Sequence, residues 1–138
     1  MYQPKPCSRV LNISLWLAQV LAALSFGGGG VMKLAMPIAE LAAMWPWAGD
    51  LSPVLVRLLG VIDLLGGAGI LLPSLTRIKP GLAVTAAAGC IALQCCAMVF
   101  HASRGEYAAL PVNLVLSALC AFVLCGRWNK CRLAPRNP

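Results

Sequence analysis

Apolar positions along this chain gather into four long unbroken runs, with polar positions pushed to the connections between them. The runs are Val10–Met32, Val54–Leu72, Gly81–Phe100 and Ala108–Gly126, of 23, 19, 20 and 19 residues. Of the 11 Lys and Arg and 4 Asp and Glu residues, only Arg57 and Asp63 fall inside them. A helix needs about 20 apolar residues to cross a bilayer core about 30 Å thick. A soluble helical globule needs charged outer faces to meet water, and these runs carry none. The pattern predicts an all-α integral membrane protein, a four-helix up-down bundle.

Proline and glycine punctuate the same boundaries. Gly27–Gly30 mark the end of the first helix, which Lys33 closes with an ammonium that reaches the outer interface. Ser52–Pro53 reads as a cap followed by a first-turn proline. Pro73 reads as the stop of the second helix, Pro80 as the start of the third, and Pro111 as part of the first turn of the fourth. Short later connections imply antiparallel neighbours. The longest connection, Leu34–Pro53, has an apolar stripe of Ile38, Leu41 and Met44–Trp45 after Pro37. With Trp45 and Trp47 at headgroup level, it reads as a short interfacial helix, or as an ordinary hydrophobic loop. Residues 10–127 thus form one membrane domain between tails 1–9 and 128–138, leaving no soluble domain with its own core.

The charge of +7 changes the picture through its placement. Lys5, Arg9, Arg77, Lys79, Arg127, Lys130, Arg132 and Arg136 fall on one side. Lys33 and Arg104 lie near span ends on the other. This alternation excludes a nucleic-acid face and predicts both tails in the cytoplasm, as expected for the cytoplasmic (inner) membrane. The lipid bilayer is the first partner, with the C-terminal tail on anionic headgroups. Ala23–Leu24–Ser25 loosely resembles a signal-peptide cleavage site. The run around it is longer than a signal h-region, which favours an uncleaved helix.

Candidate chemistry centres on Asp63, about 15 Å along its helix from Pro53 and so near mid-bilayer. A carboxyl at that depth must face protein or water. Gly60, Asp63 and Gly67 share one face, suited to close helix packing. Partners in reach by depth are Gln19 and Gln94, or Lys33 and His101 from the outer end. Arg57, about a turn into its helix, is placed to snorkel outward. Together Lys33, Arg57, Glu40, His101 and Asn113 outline a polar funnel floored by Asp63 and thinned by Gly29 and Gly30. Such a funnel admits a quinone headgroup or another amphiphile. Asp63 and His101 are the catalytic candidates. The competing reading is a structural carboxyl below a rim of paired charges.

The seven cysteines show no Cys-x-x-Cys and no metal spacing, with one histidine present. Cys7 and Cys131 are expected as reduced thiols in cytoplasmic tails. Cys90, Cys95, Cys96, Cys120 and Cys125 are expected as apolar filler within the spans. No phosphate loop, dinucleotide fingerprint or nucleophile elbow occurs.

Gly29-Gly30-Val31-Met32-Lys33-Leu34 resembles the Gly-x-x-Lys-Leu segment of the DoxX-like membrane proteins. The Gly60–Asp63–Gly67 region resembles their second helix, where glutamate is the more usual acid, and His101 after the third span also fits. The likeness runs from about Asn12 to Arg127. It implies a four-helix bundle tied to membrane redox chemistry, since the family name comes from a thiosulfate:quinone oxidoreductase subunit. Other relatives act in membrane-protein assembly. Lys33, Asp63 and His101 carry over as matched positions without an assured catalytic role. Vitamin K epoxide reductase-like bundles need a Cys-x-x-Cys that is missing here.

The expectation is therefore an accessory subunit linked to quinone or thiol redox chemistry beside an oxidoreductase partner, with a quinone as the implied cofactor. The alternative is a non-enzymatic assembly factor packing on other membrane proteins or on a second copy of itself. A small proton-coupled exporter is a third reading, weakened by the absence of an acid in the first span.

Overall fold

The computed structural model describes residues 7–136. Lys5 and the rest of the first six residues lie outside them. The helices are α1 (Arg9–Ala35), α2 (Ile38–Met44), α3 (Trp47–Asp50), α4 (Pro53–Thr76), α5 (Leu82–Ser103) and α6 (Leu110–Cys125). A 3₁₀ turn, Tyr107–Ala109, leads into α6, and a π turn, Gly126–Lys130, extends it. The helices α1, α4 and α5, and α6 with its flanking turns, are long and apolar enough to cross a membrane. Each packs on the next in order, and α6 closes the ring on α1.

Burial is confined to one narrow stripe per helix. On α4 it reads Val56, Gly60, Asp63, Gly67, Ile70 and Ser74, at alternating spacings of four and three, which keeps one seam facing a neighbour. On α1 it reads Leu15, Ala18, Gln19, Ala22, Phe26 and Gly30. The remaining surface is apolar: Leu17, Leu21, Leu24, Leu65, Val99 and Leu114 all stand exposed. Water does not tolerate such a surface over four helices, but hydrocarbon does. The chain is a multi-pass membrane protein.

Lipid offers no hydrophobic drive for helices to associate, so close packing of small residues has to hold them. The α1–α4 seam does this. A Cβ on Gly30 would lie 2.8 Å from the Gly60 carbonyl oxygen, and one on Gly67 would lie 2.9 Å from that of Ala23. Backbone meets backbone here, which only glycine permits.

Several boundaries differ from the sequence expectation. Helix α1 runs on through Gly27–Gly30 to Ala35, with Gly30 packed against α4 rather than ending the helix. Pro73 lies inside α4 instead of stopping it. A proline near a helix end removes one hydrogen bond, and the following turn is held by other means. Thr76 Oγ1 donates to the Leu72 carbonyl at 2.9 Å, and Ser74 Oγ accepts from Gln19 Nε2 at 2.8 Å. Arg77, left-handed at φ 57°, is the cap that ends the helix. Pro80 precedes α5 by two residues, and Gly81 is the cap. Pro111 does fall in the first turn of α6. The Leu34–Pro53 connection forms two short helices, split at Trp45–Pro46. Ser52 caps α4 as read, accepting from the Leu55 amide at 3.3 Å.

The cysteine expectation is corrected at the tails: Cys7 and Cys131 form a disulfide. The start of α1 and the end of the π turn leave the bundle side by side, with Cα atoms 5.0 Å apart, inside the range a disulfide spans. Cys90 and Cys120 are free and buried in the main core cluster, whereas Cys95, Cys96 and Cys125 face outward.

Candidate functional site

The glycine seam decides where the charges meet. A Cβ on Gly60 would lie 2.9 Å from that of Lys33, so the last turn of α1 rides directly on α4. The Lys33 ammonium, expected at the outer interface, turns inward and lies 2.6 Å from Asp63 Oδ2. Both side chains are nearly buried, at 14% and 12% exposed. A carboxylate at this depth is costly alone, and an ammonium directly against it removes most of that cost. Neither Gln19 nor Gln94 bonds Asp63. Gln19 donates to the Ile70 carbonyl and to Ser74, and Gln94 is buried one helix away on α5.

Arg57 does not snorkel outward. Its Nη1 donates to the Lys33 carbonyl, one of the free carbonyls at the C-terminal end of α1, where a cation is favoured. Gly29 lines the pair: a Cβ there would lie 3.6 Å from Lys33 Nζ and 4.0 Å from Asp63 Oδ2. Gly30 does not thin a funnel wall, because the α4 backbone fills the space beside it.

The expected open funnel is roofed. Trp45 and Trp47 stack with ring centroids 6.2 Å apart, and Lys33 Nζ lies 5.0 Å and 5.8 Å from their centroids. A cation over an indole face is stabilised by the ring quadrupole, and more so out of water. The split at Trp45–Pro46 lets α2 and α3 aim both indoles at the same ammonium. Leu41, Ala48 and Val56 form the small core that fixes this roof.

His101 is buried, and its ring lies edge-on to Trp47 at 6.3 Å. Its Nδ1 is 2.7 Å from Glu106 Oε2. Beyond that pair, Arg104 bridges Glu106 Oε1 at 2.8 Å and Asp50 at the end of α3. Hydrogen bonds from His101 first and Arg104 second hold the Glu106 carboxyl below the usual carboxylate range. The Arg104 guanidinium is correspondingly held on its proton by Asp50 and Glu106. A sequence of contacts therefore runs from Asp63 through Lys33, the two indoles and His101 to the Glu106–Arg104–Asp50 clasp at the rim. Asn113, expected near this depth, is buried on α6 with its Nδ2 unpartnered, and Glu40 stands exposed on α2.

Sequence reasoning missed Glu106 and Asp50 as partners, and it placed the tryptophans at headgroup level rather than on a buried lysine. Glu106 was legible in part: it follows His101 by five residues across Gly105, whose φ of 73° makes the reversal. It also left Arg127 in the tail. That residue is buried, with Nε donating to Gln19 Oε1 at 2.9 Å and Nη1 to Asn12 Oδ1 at 2.8 Å.

Four apolar spans enclosing an intramembrane lysine–aspartate pair define a polytopic membrane protein built around a buried ionic site. The sequence model of the DoxX-like family matches residues 17–123. The chain belongs to that family. Comparison with curated proteins and with solved structures gave no match.

Proposed function

We propose that the protein is an accessory subunit of a membrane redox system, receiving at its Lys33–Asp63 site the polar head of a quinone. The carrying observation is the ion pair itself, held within the spans under two stacked indoles. The residues present fit such a head. Lys33 offers ammonium donors to a carbonyl oxygen, and the flat faces of Trp45 and Trp47 suit a planar ring. Gly28 leaves room on the lipid side of α1, since a Cβ there would meet nothing within 4 Å. A bound quinone supplies two-electron redox capacity, with electrons drawn from a partner oxidoreductase. Asp63 and Lys33 hold a proton between them at that oxygen, and the His101–Glu106 pair lies between the site and the rim. The roof of α2 and α3, with its small separate core, is the element that moves to admit the head.

In this reading the protein lies in the inner membrane with both tails in the cytoplasm. The support is charge: Arg9, Arg77, Lys79, Arg127, Lys130, Arg132 and Arg136 all sit at the end where α1 begins, and every acid lies toward the other. A disulfide on the cytoplasmic side is one that cycles rather than one that persists, which favours a thiol-linked version of the same role.

The test is extraction in native lipid, followed by mass spectrometry for quinone and for a bound oxidoreductase. Finding neither overturns the redox reading. Asp63→Asn then separates it from assembly work. Loss of the redox phenotype at normal abundance supports the proposal, while loss of a partner's abundance supports an assembly factor.

A further inference from the structure

At the basic end a charge lies buried with no opposite charge beside it among the described residues. Arg127 is only 4% exposed. Its guanidinium meets neutral acceptors: Gln19 Oε1, Asn12 Oδ1 and the Cys131 carbonyl at 3.3 Å. Its Nη2 has no hydrogen-bond partner among the described residues, and its Cζ lies 5.1 Å from the Trp16 ring centroid. The chain has four acids, and every ion pair among the described residues lies toward the opposite end. A guanidinium out of water is favourable only when an anion and a full set of acceptors meet it. The described residues supply the acceptors in part and no anion.

Beside Arg127 lies a cavity of about 310 Å³, walled also by Arg132, Trp128, Pro80, Gly81 and Val84. A second, of about 230 Å³, opens on the other side of Arg132 and reaches Arg9 and Asn12. The space beside Gly81 is open, since a Cβ there would meet nothing within 4 Å. Arg132 is tethered through Nε to the Trp128 carbonyl, and its ring contact places the guanidinium 5.5 Å from the Trp128 centroid. The π turn that carries Arg127 and Trp128 begins at Gly126, which packs bare against Leu15, where a Cβ would come within 2.8 Å of Cδ1. Local π geometry of this kind recurs where a helix presents a side chain for use.

We propose that this end binds the phosphate of an anionic phospholipid, with Arg127 and Arg132 as its two ligands. The guanidinium fork matches phosphate oxygens in pairs, and basic pockets at the ends of membrane helices are where such headgroups lodge. Trp128 seats the glycerol level, as interfacial tryptophans do. Val84 and the apolar flank of α5 lead away from the cavity along the acyl chains. The site is independent of the Lys33–Asp63 centre, which lies toward the other end of the spans.

The test uses the full chain in vesicles of phosphatidylcholine with or without phosphatidylglycerol, read by native mass spectrometry after release into mild detergent. One phosphatidylglycerol should remain bound, with about a tenfold preference over phosphatidylcholine, as expected for charge-assisted phosphate contacts. Arg132→Gln, at an exposed position, should fold normally and lose most of that preference. Arg127→Lys, which keeps the charge but not the fork, should lose it in part. Equal retention of both lipids, or unchanged preference in Arg132→Gln, overturns the proposal. So does displacement by inorganic phosphate in detergent with full recovery of thermal stability, which would assign the site to a free anion.

Discussion

The two ends of this bundle handle charge in opposite ways. At the end where α1 finishes, the polar groups meet partners within the protein: Lys33 with Asp63, His101 with Glu106, Arg104 with Glu106 and Asp50, and Arg57 with the Lys33 carbonyl. At the end where α1 begins, Arg127 is buried among amides and a carbonyl. The first arrangement is closed and self-sufficient. The second is incomplete without something from outside. The difference follows from composition, because Glu40, Asp50 and Glu106 lie in the connections at that end and Asp63 within α4, and no acidic side chain lies in the tails.

The largest effect comes from breaking the closed end. Lys33→Met leaves Asp63 without its partner within the spans, and should cost about 3–5 kcal/mol. Melting in detergent and steady-state abundance would both report it. The double variant Lys33→Met with Asp63→Leu removes both charges and should recover most of that loss. If the double variant is as unstable as the single one, the pair is not the unit of stability described here. Next in size is the seam that brings the pair together. Gly30→Leu drives a side chain into the Gly60 carbonyl and Leu64, and should cost about 1–3 kcal/mol by overpacking. Gly28→Leu, on open surface, is the control and should change little.

The open end responds through its amides. Gln19→Leu removes one acceptor from Arg127 and the donor to Ser74 and the Ile70 carbonyl. Leaving these buried groups unpaired should cost about 1–3 kcal/mol. The loss should be smaller in vesicles containing phosphatidylglycerol if an external phosphate completes the site. Equal loss in both lipids would remove Gln19 from any link to the headgroup.

At the rim the comparison is sharpened by pH. Glu106 is held below its usual range by His101 and Arg104. A depressed carboxyl contributes stability that is complete above its unfolded value of about 4.3 and fades as pH falls through the lower folded value. Acidification below about 4 should therefore loosen α3 from the end of α5, since Asp50 and Glu106 share Arg104. Glu106→Gln should abolish that acid dependence. The effect is modest because the clasp is exposed to solvent screening.

What the sequence made legible follows from how strongly each feature is forced by the solvent. Four spans were readable because hydrocarbon demands long apolar runs. The Gly60–Asp63–Gly67 face was readable because an acid and two glycines cannot profitably face lipid. The partner of Asp63 was narrowed to a short set by depth but not chosen, since depth leaves rotation between helices open. Lys33 was read both as reaching the outer interface and as a partner reaching in to Asp63, because its position near the helix end leaves the direction open. Its inward turn depends on the Gly30–Gly60 contact, a pairing between helices that no local pattern records. Pro73 was overread as a stop because one of the bonds that hold the turn after it, from Gln19 to Ser74, comes from another helix. Arg127 was invisible for the same reason. Its burial requires Gln19 and Asn12, more than 100 positions away.

The smallest expected effect on stability is at the disulfide, and its smallness carries information. In a soluble chain, joining residues 124 apart removes much unfolded-state entropy, worth about 4–5 kcal/mol in the chain-closure account. Here the spans already return both tails to one membrane face, so the closure is largely complete before the bond forms. Cys7→Ser should therefore shift melting by about 1 kcal/mol or less, well under the soluble value. What it should change is access. The Cys131 carbonyl holds Arg127 Nη1, and a tail freed from α1 exposes that contact. Maleimide labelling of Cys131 in Cys7→Ser cells, with and without a membrane-permeant quench, reads that access and the side the tails occupy together. Labelling only by the permeant reagent fits cytoplasmic tails, and labelling by an impermeant one places the basic end outside. A loss of stability near the soluble figure would mean that the spans do not hold the tails together, and that the open end is closed by its covalent bond.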